Sequence, residues 1–299
     1  MASADRAVLN AMAKTVLSIQ SAVTYGMVGN AVAQPALQRL GCDVWRIDTV
    51  TFSNHPGHGA FTGRIVPAPE IAQLIQGLDN LGVLDRVDAV ISGYLGSADT
   101  AEAVADAVVR VRRANPDAIY VLDPVIGDGG RRFVKPGVAE AIVDRLLPLA
   151  DLVTPNPYEL GWLTDGIAND EIGALAAARA LRPRLRQEGL ATVVVTGVPQ
   201  GHDRLTTLAL TADGTLRASQ SRIARSTNGT GDLFAALLTG WLLRDGSIGM
   251  ALARTIAGLV AVMQATLAAD ADELRLLDAL DRVAAPAPLW PVERLLSSS

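Results

Sequence analysis

The chain has 299 residues, of which 49% are hydrophobic and 19% charged, and its formal net charge is −5. This composition provides enough apolar material for one large α/β domain, and the acidic balance argues against a nucleic-acid partner, which needs clustered positive charge. Cys42 is the only cysteine, which excludes an intrachain disulfide and a cysteine-based zinc cluster and fits a reducing compartment.

The ends of the chain predict one domain with short extensions. We expect a flexible leader at residues 1–13, a single domain at 14–286 and a C-terminal tail at 287–299, frayed at 297–299. The start lacks the apolar core of a signal peptide, and no stretch is expected to reach the roughly 20 apolar residues that span a bilayer. We therefore predict a cytoplasmic protein with no membrane partner.

Short β-branched runs alternate along the chain with segments of helical periodicity. This alternation predicts an α/β fold in which parallel strands are joined by right-handed crossovers. The predicted strands are residues 15–20, 43–49, 89–92, 119–122, 152–154 and 192–196. The predicted helices are residues 29–40, 68–81, 100–114, 138–149, 171–187, 232–244 and 248–267. Residues 202–210 and 215–219, separated by a turn at 212–214, predict a hairpin at the sheet edge.

Polar side chains follow most of the predicted parallel strands. Because ligands bind at the carboxyl ends of such strands, these residues predict a polar pocket along one rim of the sheet. They are Ser21, Tyr94, Asp123, Thr154, Asn156 and Thr196.

The sequence Gly229-Thr230-Gly231-Asp232 runs directly into an apolar helical pattern. A glycine turn that opens a helix directs unpaired N–H groups and the helix dipole at one point, where an anion is stabilised. A neighbouring carboxylate can accept a proton from a hydroxyl, so the combination suits phosphoryl transfer. The same string is also compatible with a simple turn and helix cap.

Only two of the 26 basic residues are lysines, Lys14 and Lys135. Neither follows a glycine in the way that a Walker-type phosphate loop requires, and both are poorly placed for a Schiff base. Any bound phosphate must therefore be held mainly by backbone amides, with arginine as a further donor.

Six segments in order resemble the pyridoxal kinases of the ribokinase superfamily over nearly the whole chain. They are residues 18–30 (SIQSAVTYGMVGN), 50–55 (VTFSNH), 92–97 (SGYLGS), 123–128 (DPVIGD), 154–159 (TPNPYE) and 229–235 (GTGDLFA). The first two segments favour pyridoxal over a sugar. The resemblance implies a ribokinase-like three-layer αβα sandwich with a mainly parallel central sheet.

The resemblance also implies roles at the catalytic turn. Asp232 is expected to be the base that accepts the proton of the pyridoxal 5′-hydroxymethyl group as it attacks the γ-phosphorus of ATP. Gly229, Thr230 and Gly231 are expected to form the anion hole. A helix N-terminus is expected to lower the pKa of Asp232, leaving it ionised and weakly basic.

On the substrate side, the family implies that Ser21 hydrogen-bonds the pyridine ring and that Val28 and Tyr94 form its walls. Residues 52–63 are expected to form a mobile flap that excludes water, with His55, Pro56 and Gly57 against the substrate. The family often has threonine at position 56. Since Pro56 offers neither a hydroxyl nor an N–H, vitamer preference is left open.

On the nucleotide side, the family places Asp123 near the phosphates and Thr230 and Gly231 against ATP. Thr154 and Thr196 are expected to contact the ATP phosphates or a monovalent cation such as K⁺. Asn156 and Glu159 are expected to organise Mg²⁺, with Asp123 and Glu159 as the metal carboxylates. Glu159 is alternatively a helix cap.

Two alternatives remain beside pyridoxal kinase. Hydroxymethylpyrimidine kinases share the fold and the catalytic turn, although they usually have a more glycine-rich first turn. A non-catalytic pyridoxal-phosphate carrier is the other alternative, and the intact Asp232 argues against it. By family analogy the protein is expected to be a homodimer.

Overall fold

The computed structural model describes residues 13–225 and 227–295. The leader predicted at 1–13, apart from Ala13, and the frayed end predicted at 297–299 lie outside these residues.

In the described part of the chain, a ten-stranded sheet forms the centre of the molecule, in the order β12-β11-β10-β9-β8-β5-β4-β1-β2-β3. The pairs from β2 through β1, β4, β5 and β8 to β9 are parallel, and β3, β10, β11 and β12 join antiparallel. A separate small hairpin pairs β6 with β7. The strands are β1 Thr15–Tyr25, β2 Asp43–Asn54, β3 Gly63–Ile65, β4 Val87–Ser92, β5 Ile119–Leu122, β6 Gly127–Asp128, β7 Arg131–Arg132, β8 Leu152–Val153, β9 Thr192–Gln200, β10 Arg204–Thr211, β11 Gly214–Ser221 and β12 Glu293–Leu295.

Helices cover both faces of the sheet, and each face has its own hydrophobic core. The strands feed both cores because successive side chains point to opposite faces: Val16 packs into one core and Leu17 into the other. One core is completed by α2 to α6 and the other by α1, α7, α8 and α9. The helices are α1 Asn30–Arg39, α2 Ala68–Leu81, α3 Asp99–Ala114, α4 Val138–Ala141, α5 Pro157–Thr164, α6 Glu171–Leu181, α7 Thr230–Asp245, α8 Ile248–Ala268 and α9 Leu280–Ala284.

This architecture confirms the predicted three-layer αβα sandwich with a mainly parallel sheet. Two helix predictions were too long. The helix predicted at 138–149 is regular only to Ala141 and then changes to a wider and a tighter turn, the latter containing Pro148. The helix predicted at 171–187 ends at Leu181, ahead of a short turn with Pro183, since proline removes a helical hydrogen bond.

The predicted hairpin is present, but its position at the sheet edge was wrong. β12 pairs with β11 and lies outside the hairpin. β3 and the β6–β7 hairpin were not predicted, because two or three residues carry too little periodicity to identify a strand.

The prediction that no stretch is long and apolar enough to span a membrane was wrong for helix α8. Its 21 residues have a mean hydropathy of 1.6, enough to cross a bilayer by length and composition, and half of its most apolar window is buried inside the protein. Buried residues such as Leu252, Ile256 and Val262 pack into the core beside α7. The apolar character of α8 therefore fits a core helix.

Candidate active site

The catalytic turn is built by a very close approach of two backbone segments. Gly229 precedes the first residue of α7 with φ of +85°, a conformation that favours glycine. A Cβ on Gly229 would stand 1.9 Å from the carbonyl oxygen of Met27. Among the described residues no side chain caps α7, so the N–H groups of its first turn are available to an anion.

Asp232 lies in the first turn of α7 and is half-buried. Burial raises the pKa of this carboxyl, and a backbone hydrogen bond from Gly29 opposes that rise. The prediction that the helix N-terminus lowers the pKa of Asp232 was therefore wrong. The burial of the carboxyl raises its pKa by more than the helix N-terminus lowers it. Asp232 is a stronger base than the sequence argument suggested.

The first turn, residues 26–29, connects β1 to α1 and meets the catalytic turn. Gly29 lies against Ser21, since a Cβ on it would be 2.3 Å from both the carbonyl and the hydroxyl oxygen of Ser21. The buried Asn30 accepts a hydrogen bond from Ser18 at 2.7 Å and donates to Asp48 at 2.8 Å. This network fixes the part of β1 that carries Ser21.

Asp123 follows β5 and faces the catalytic turn. One carboxylate oxygen accepts a hydrogen bond from Thr154 Oγ1 at 3.1 Å. The other lies 3.8 Å from the position that a Cβ on Gly231 would take. Burial first, and then the negative charges of Glu159 and Asp232, hold the pKa of Asp123 well above its usual range.

Glu159 forms a capping box with Asn156 at the start of α5. Glu159 Oε2 accepts from the Asn156 N–H at 3.0 Å, Asn156 Oδ1 accepts from the Glu159 N–H at 2.9 Å, and Glu159 Oε1 accepts from the Ile126 N–H at 2.9 Å. Burial raises the pKa of Glu159 to about 7 despite these amide donors. Because backbone amides occupy both oxygens, the geometry of this side chain is that of the cap considered as the alternative.

The flap reaches across to the catalytic turn. After β2, His55 Nδ1 accepts a hydrogen bond from the Gly57 N–H at 3.0 Å, and Pro56 begins a single tight turn. A Cβ on Gly57 would be 3.0 Å from the side-chain nitrogen of Asn228, the residue before Gly229. Burial, the largest influence, lowers the pKa of His55, which favours a neutral ring beside the pocket.

The remaining predicted residues, Val28, Tyr94 and Thr196, make fewer contacts with the other site residues than Asp123 and Glu159 do. Val28 is buried in the first turn. Tyr94 is half-buried, its carbonyl accepts from Thr49 Oγ1 at 2.6 Å, and burial raises the pKa of its hydroxyl. The Thr196 N–H donates to the Pro155 carbonyl at 3.0 Å. None of these hydrogen bonds, within the part of the chain that the structure describes, reaches the catalytic turn.

Sequence reasoning missed three parts of the site. Met27 supplies the carbonyl against Gly229, Gly29 lies against Ser21, and Glu273 contacts the flap. Gly29 and Gly229 gave a usable signal, since glycine is the only residue type that fits the close backbone approach at each position. Glu273 gave none, because an acidic residue after a helix is ordinary.

The donor set fits a divalent cation bound mostly by its own phosphate and water ligands. Within residues 13–225 and 227–295, no group of three or more His, Cys, Asp or Glu side chains is arranged to hold a metal. Asp123 offers one carboxylate oxygen toward the catalytic turn, and magnesium usually takes only one or two protein carboxylates beside phosphate oxygens. The site is therefore suited to a metal that arrives with a nucleotide.

Comparison with known proteins gives a consistent assignment. Residues 71–273 match the family model described as phosphomethylpyrimidine kinase. The pyridoxal kinase PdxY of Deinococcus radiodurans is 43% identical over 288 residues, covering 94% of this chain and 97% of that protein. The chain belongs to the pyridoxal kinase family. Another PdxY, from Corynebacterium diphtheriae, is 37% identical over 94% of this chain and 99% of its own length.

Solved structures of this family share the fold. The pyridoxal kinase from Leishmania donovani in complex with ADP and pyridoxine superimposes with a TM-score of 0.88 at 31% identity, covering 94% of this chain and 99% of that chain. A structure described as a putative phosphomethylpyrimidine kinase from Bacteroides thetaiotaomicron matches with a TM-score of 0.86 at 26% identity, over 95% of this chain and 98% of that chain.

Proposed function

We propose that this member of the pyridoxal kinase family transfers the γ-phosphate of ATP to the 5′-hydroxymethyl group of pyridoxal, forming pyridoxal 5′-phosphate. Pyridoxine and pyridoxamine are further acceptors. The observation that carries the proposal is the position of Asp232, which lies in the first turn of α7, where no side chain of the described residues caps the helix N-terminus.

Asp232 acts as the general base in this proposal. Its pKa is raised by burial, which brings its proton affinity closer to that of the alcohol in the transition state. As the alcohol oxygen bonds to phosphorus, the bond from the γ-phosphorus to the bridging oxygen of ADP breaks. The hydroxyl proton moves to the Asp232 carboxylate.

The N–H groups of residues 229–231 stabilise the transferring phosphoryl group. They are fixed by the contact between Gly229 and the Met27 carbonyl, so little reorganisation is needed when charge moves onto the phosphoryl oxygens. The scarcity of lysine in the chain agrees with phosphate binding by backbone amides.

Asp123 is proposed to hold the divalent cation, which we assign as Mg²⁺. When bound, the cation would neutralise phosphate charge. Glu159 acts indirectly, because its capping box shapes the loops that carry Asn156 and Ile126. Thr154 and Thr196 are assigned to the phosphates or to a monovalent cation such as K⁺.

On the acceptor side, Ser21 is assigned to the pyridine ring, Val28 and Tyr94 to its walls, and His55, Pro56 and Gly57 to the flap above it. A single domain that extends past the predicted boundary at 286 to include β12, a homodimeric state and a cytoplasmic location complete the proposal. The sequence resemblance supports these assignments.

Product formation from purified protein tests the proposal. Pyridoxal, pyridoxine, pyridoxamine and hydroxymethylpyrimidine are offered in parallel with Mg-ATP, and phosphorylated products are detected by mass. Preferential formation of pyridoxal 5′-phosphate is the expected result. Preference for the pyrimidine would move the activity to the related family, and vitamer binding without any product would indicate a carrier.

A further inference from the structure

Glu273 is a partly buried carboxylate that none of the catalytic assignments uses. It follows α8, and its side chain is only 14% exposed. Carboxylates are rarely buried without partners, so the contacts of this side chain indicate what it does.

The two oxygens of Glu273 connect the flap to the first turn. Oε1 accepts a hydrogen bond from Nε2 of His58 in the flap, and Oε2 accepts from the Met27 N–H at 2.7 Å. The His58 ring also packs against Tyr25, with centroids 5.5 Å apart. One carboxylate side chain therefore joins two loops that lie far apart in sequence.

The segment around Glu273 also touches the catalytic turn and its approach. Leu274 is buried, and its Cδ1 lies 3.4 Å from the position that a Cβ on Gly229 would take. Asp270 and Asp272 pair with Arg225, four residues before Gly229, at 2.5 and 2.8 Å. Residues 270–274 thus contact the flap, the first turn and the segment that leads into the catalytic turn.

We propose that Glu273 is a positioning residue that holds the flap closed over the acceptor pocket and fixes Met27 against the catalytic turn. The inference rests on the proposed kinase function. Charge-assisted hydrogen bonds are stronger than neutral ones, so a single carboxylate can fix both loops. Because the flap excludes water from the phosphoryl group, loss of the contact admits water and loosens the acceptor.

Steady-state kinetics of Glu273→Ala test the positioning role. We expect KM for pyridoxal to rise about tenfold and kcat to fall by less than about threefold, with faster ATP hydrolysis in the absence of acceptor. His58→Ala should raise KM in the same direction, and the double variant should be no worse than Glu273→Ala alone. Asp278→Asn is the control, since this exposed carboxylate pairs with Arg275 on the surface, and wild-type values are expected.

An unchanged KM in Glu273→Ala, or additive effects in the double variant, would overturn the proposal. If Glu273→Ala does not fold, Glu273→Gln keeps the test, because the amide has the same shape but lacks the charge and presents N–H groups to one of the two donors. Its KM should then rise by a smaller factor, and no rise would contradict the positioning role.

Hydrogen exchange of the ligand-free protein separates this inference from the proposed function. In the flap the His58 N–H donates to the His55 carbonyl and the Gly59 N–H to the Pro56 carbonyl, both at 3.0 Å. These amides should exchange several-fold faster in Glu273→Ala than in wild type. If the flap amides exchange faster in Glu273→Ala but the wild-type protein phosphorylates none of the offered acceptors, the flap contact is supported and the kinase function is rejected. Unchanged exchange in an active kinase would reject only the flap contact.

Discussion

The catalytic floor, defined as residues 229–232 with Asp123, and the flap are built by different means. The floor is fixed by contacts between backbone segments, such as that of Gly229 with the Met27 carbonyl, and by the buried carboxylate of Asp123. In the flap, residues 56–63 are exposed, and side chains such as His58 hold it in place. We infer that the floor determines the chemistry of phosphoryl transfer, whereas the flap determines access and acceptor preference.

The largest expected effect comes from removing the base of the floor. Asp232→Asn should lower kcat by at least about a hundredfold, the usual scale for a positioned base, while ATP and pyridoxal still bind. Binding by calorimetry and turnover by product mass check this expectation. Asp213→Asn, in the exposed hairpin turn, is the control, and near-normal turnover of the Asp232 variant would remove Asp232 from its role.

Glycine substitutions at the two ends of α7 test the backbone construction of the floor. Gly229→Ala places a methyl group against the Met27 carbonyl and Gly246→Ala meets nothing within 4 Å, although both glycines have positive φ. The first variant should lose about 3 kcal/mol or more of unfolding free energy and the second about 1 kcal/mol. Denaturant unfolding measures both, and equal losses would mean that the floor tolerates side-chain volume.

Replacing Asp123 should separate stability from activity. In the ligand-free protein at alkaline pH, Asp123→Asn should raise the free energy of unfolding by about 1 kcal/mol, because burial and the charges of Glu159 and Asp232 disfavour the ionised form of the Asp123 carboxyl. Phosphorylation should fall sharply.

The pH dependence provides the internal control for this variant. The folded-state pKa of Asp123 is raised, so its contribution to stability is fully present below its unfolded pKa and is lost as pH rises through the folded value. The stability difference between wild type and variant should therefore be smallest in acid and grow toward pH 8. A difference that is constant with pH would reject the explanation by charge.

The smallest expected effect lies in the flap. Pro56→Thr adds a hydroxyl and an N–H at an exposed position of the flap. Because we assign this position to the acceptor side, the ratio of kcat/KM among pyridoxal, pyridoxine and pyridoxamine should change by a few-fold. KM for ATP should stay within about twofold, which serves as the control. An unchanged vitamer ratio would mean that the flap does not contact the ring through this position.

The same contrast explains what could be predicted from the sequence. The parallel sheet and the catalytic turn were predictable because β-branched runs and the Gly229–Asp232 motif are local signals. The direction of the pKa shift of Asp232 was not, because the helix dipole is visible in sequence and burial is not. Glu273 also escaped prediction, since its partners are 215 and 246 residues away.

Within the described residues, both edges of the sheet consist of strands of three residues, β3 and β12. Such short strands offer few free N–H and C=O groups to a neighbouring molecule and so limit edge-to-edge association. β12 also covers Thr215, Leu216 and Arg217 of the longer strand β11. A chain shortened to end before Glu293 would leave this edge of β11 unpaired. We expect the shortened chain to aggregate at concentrations where the full chain stays dispersed.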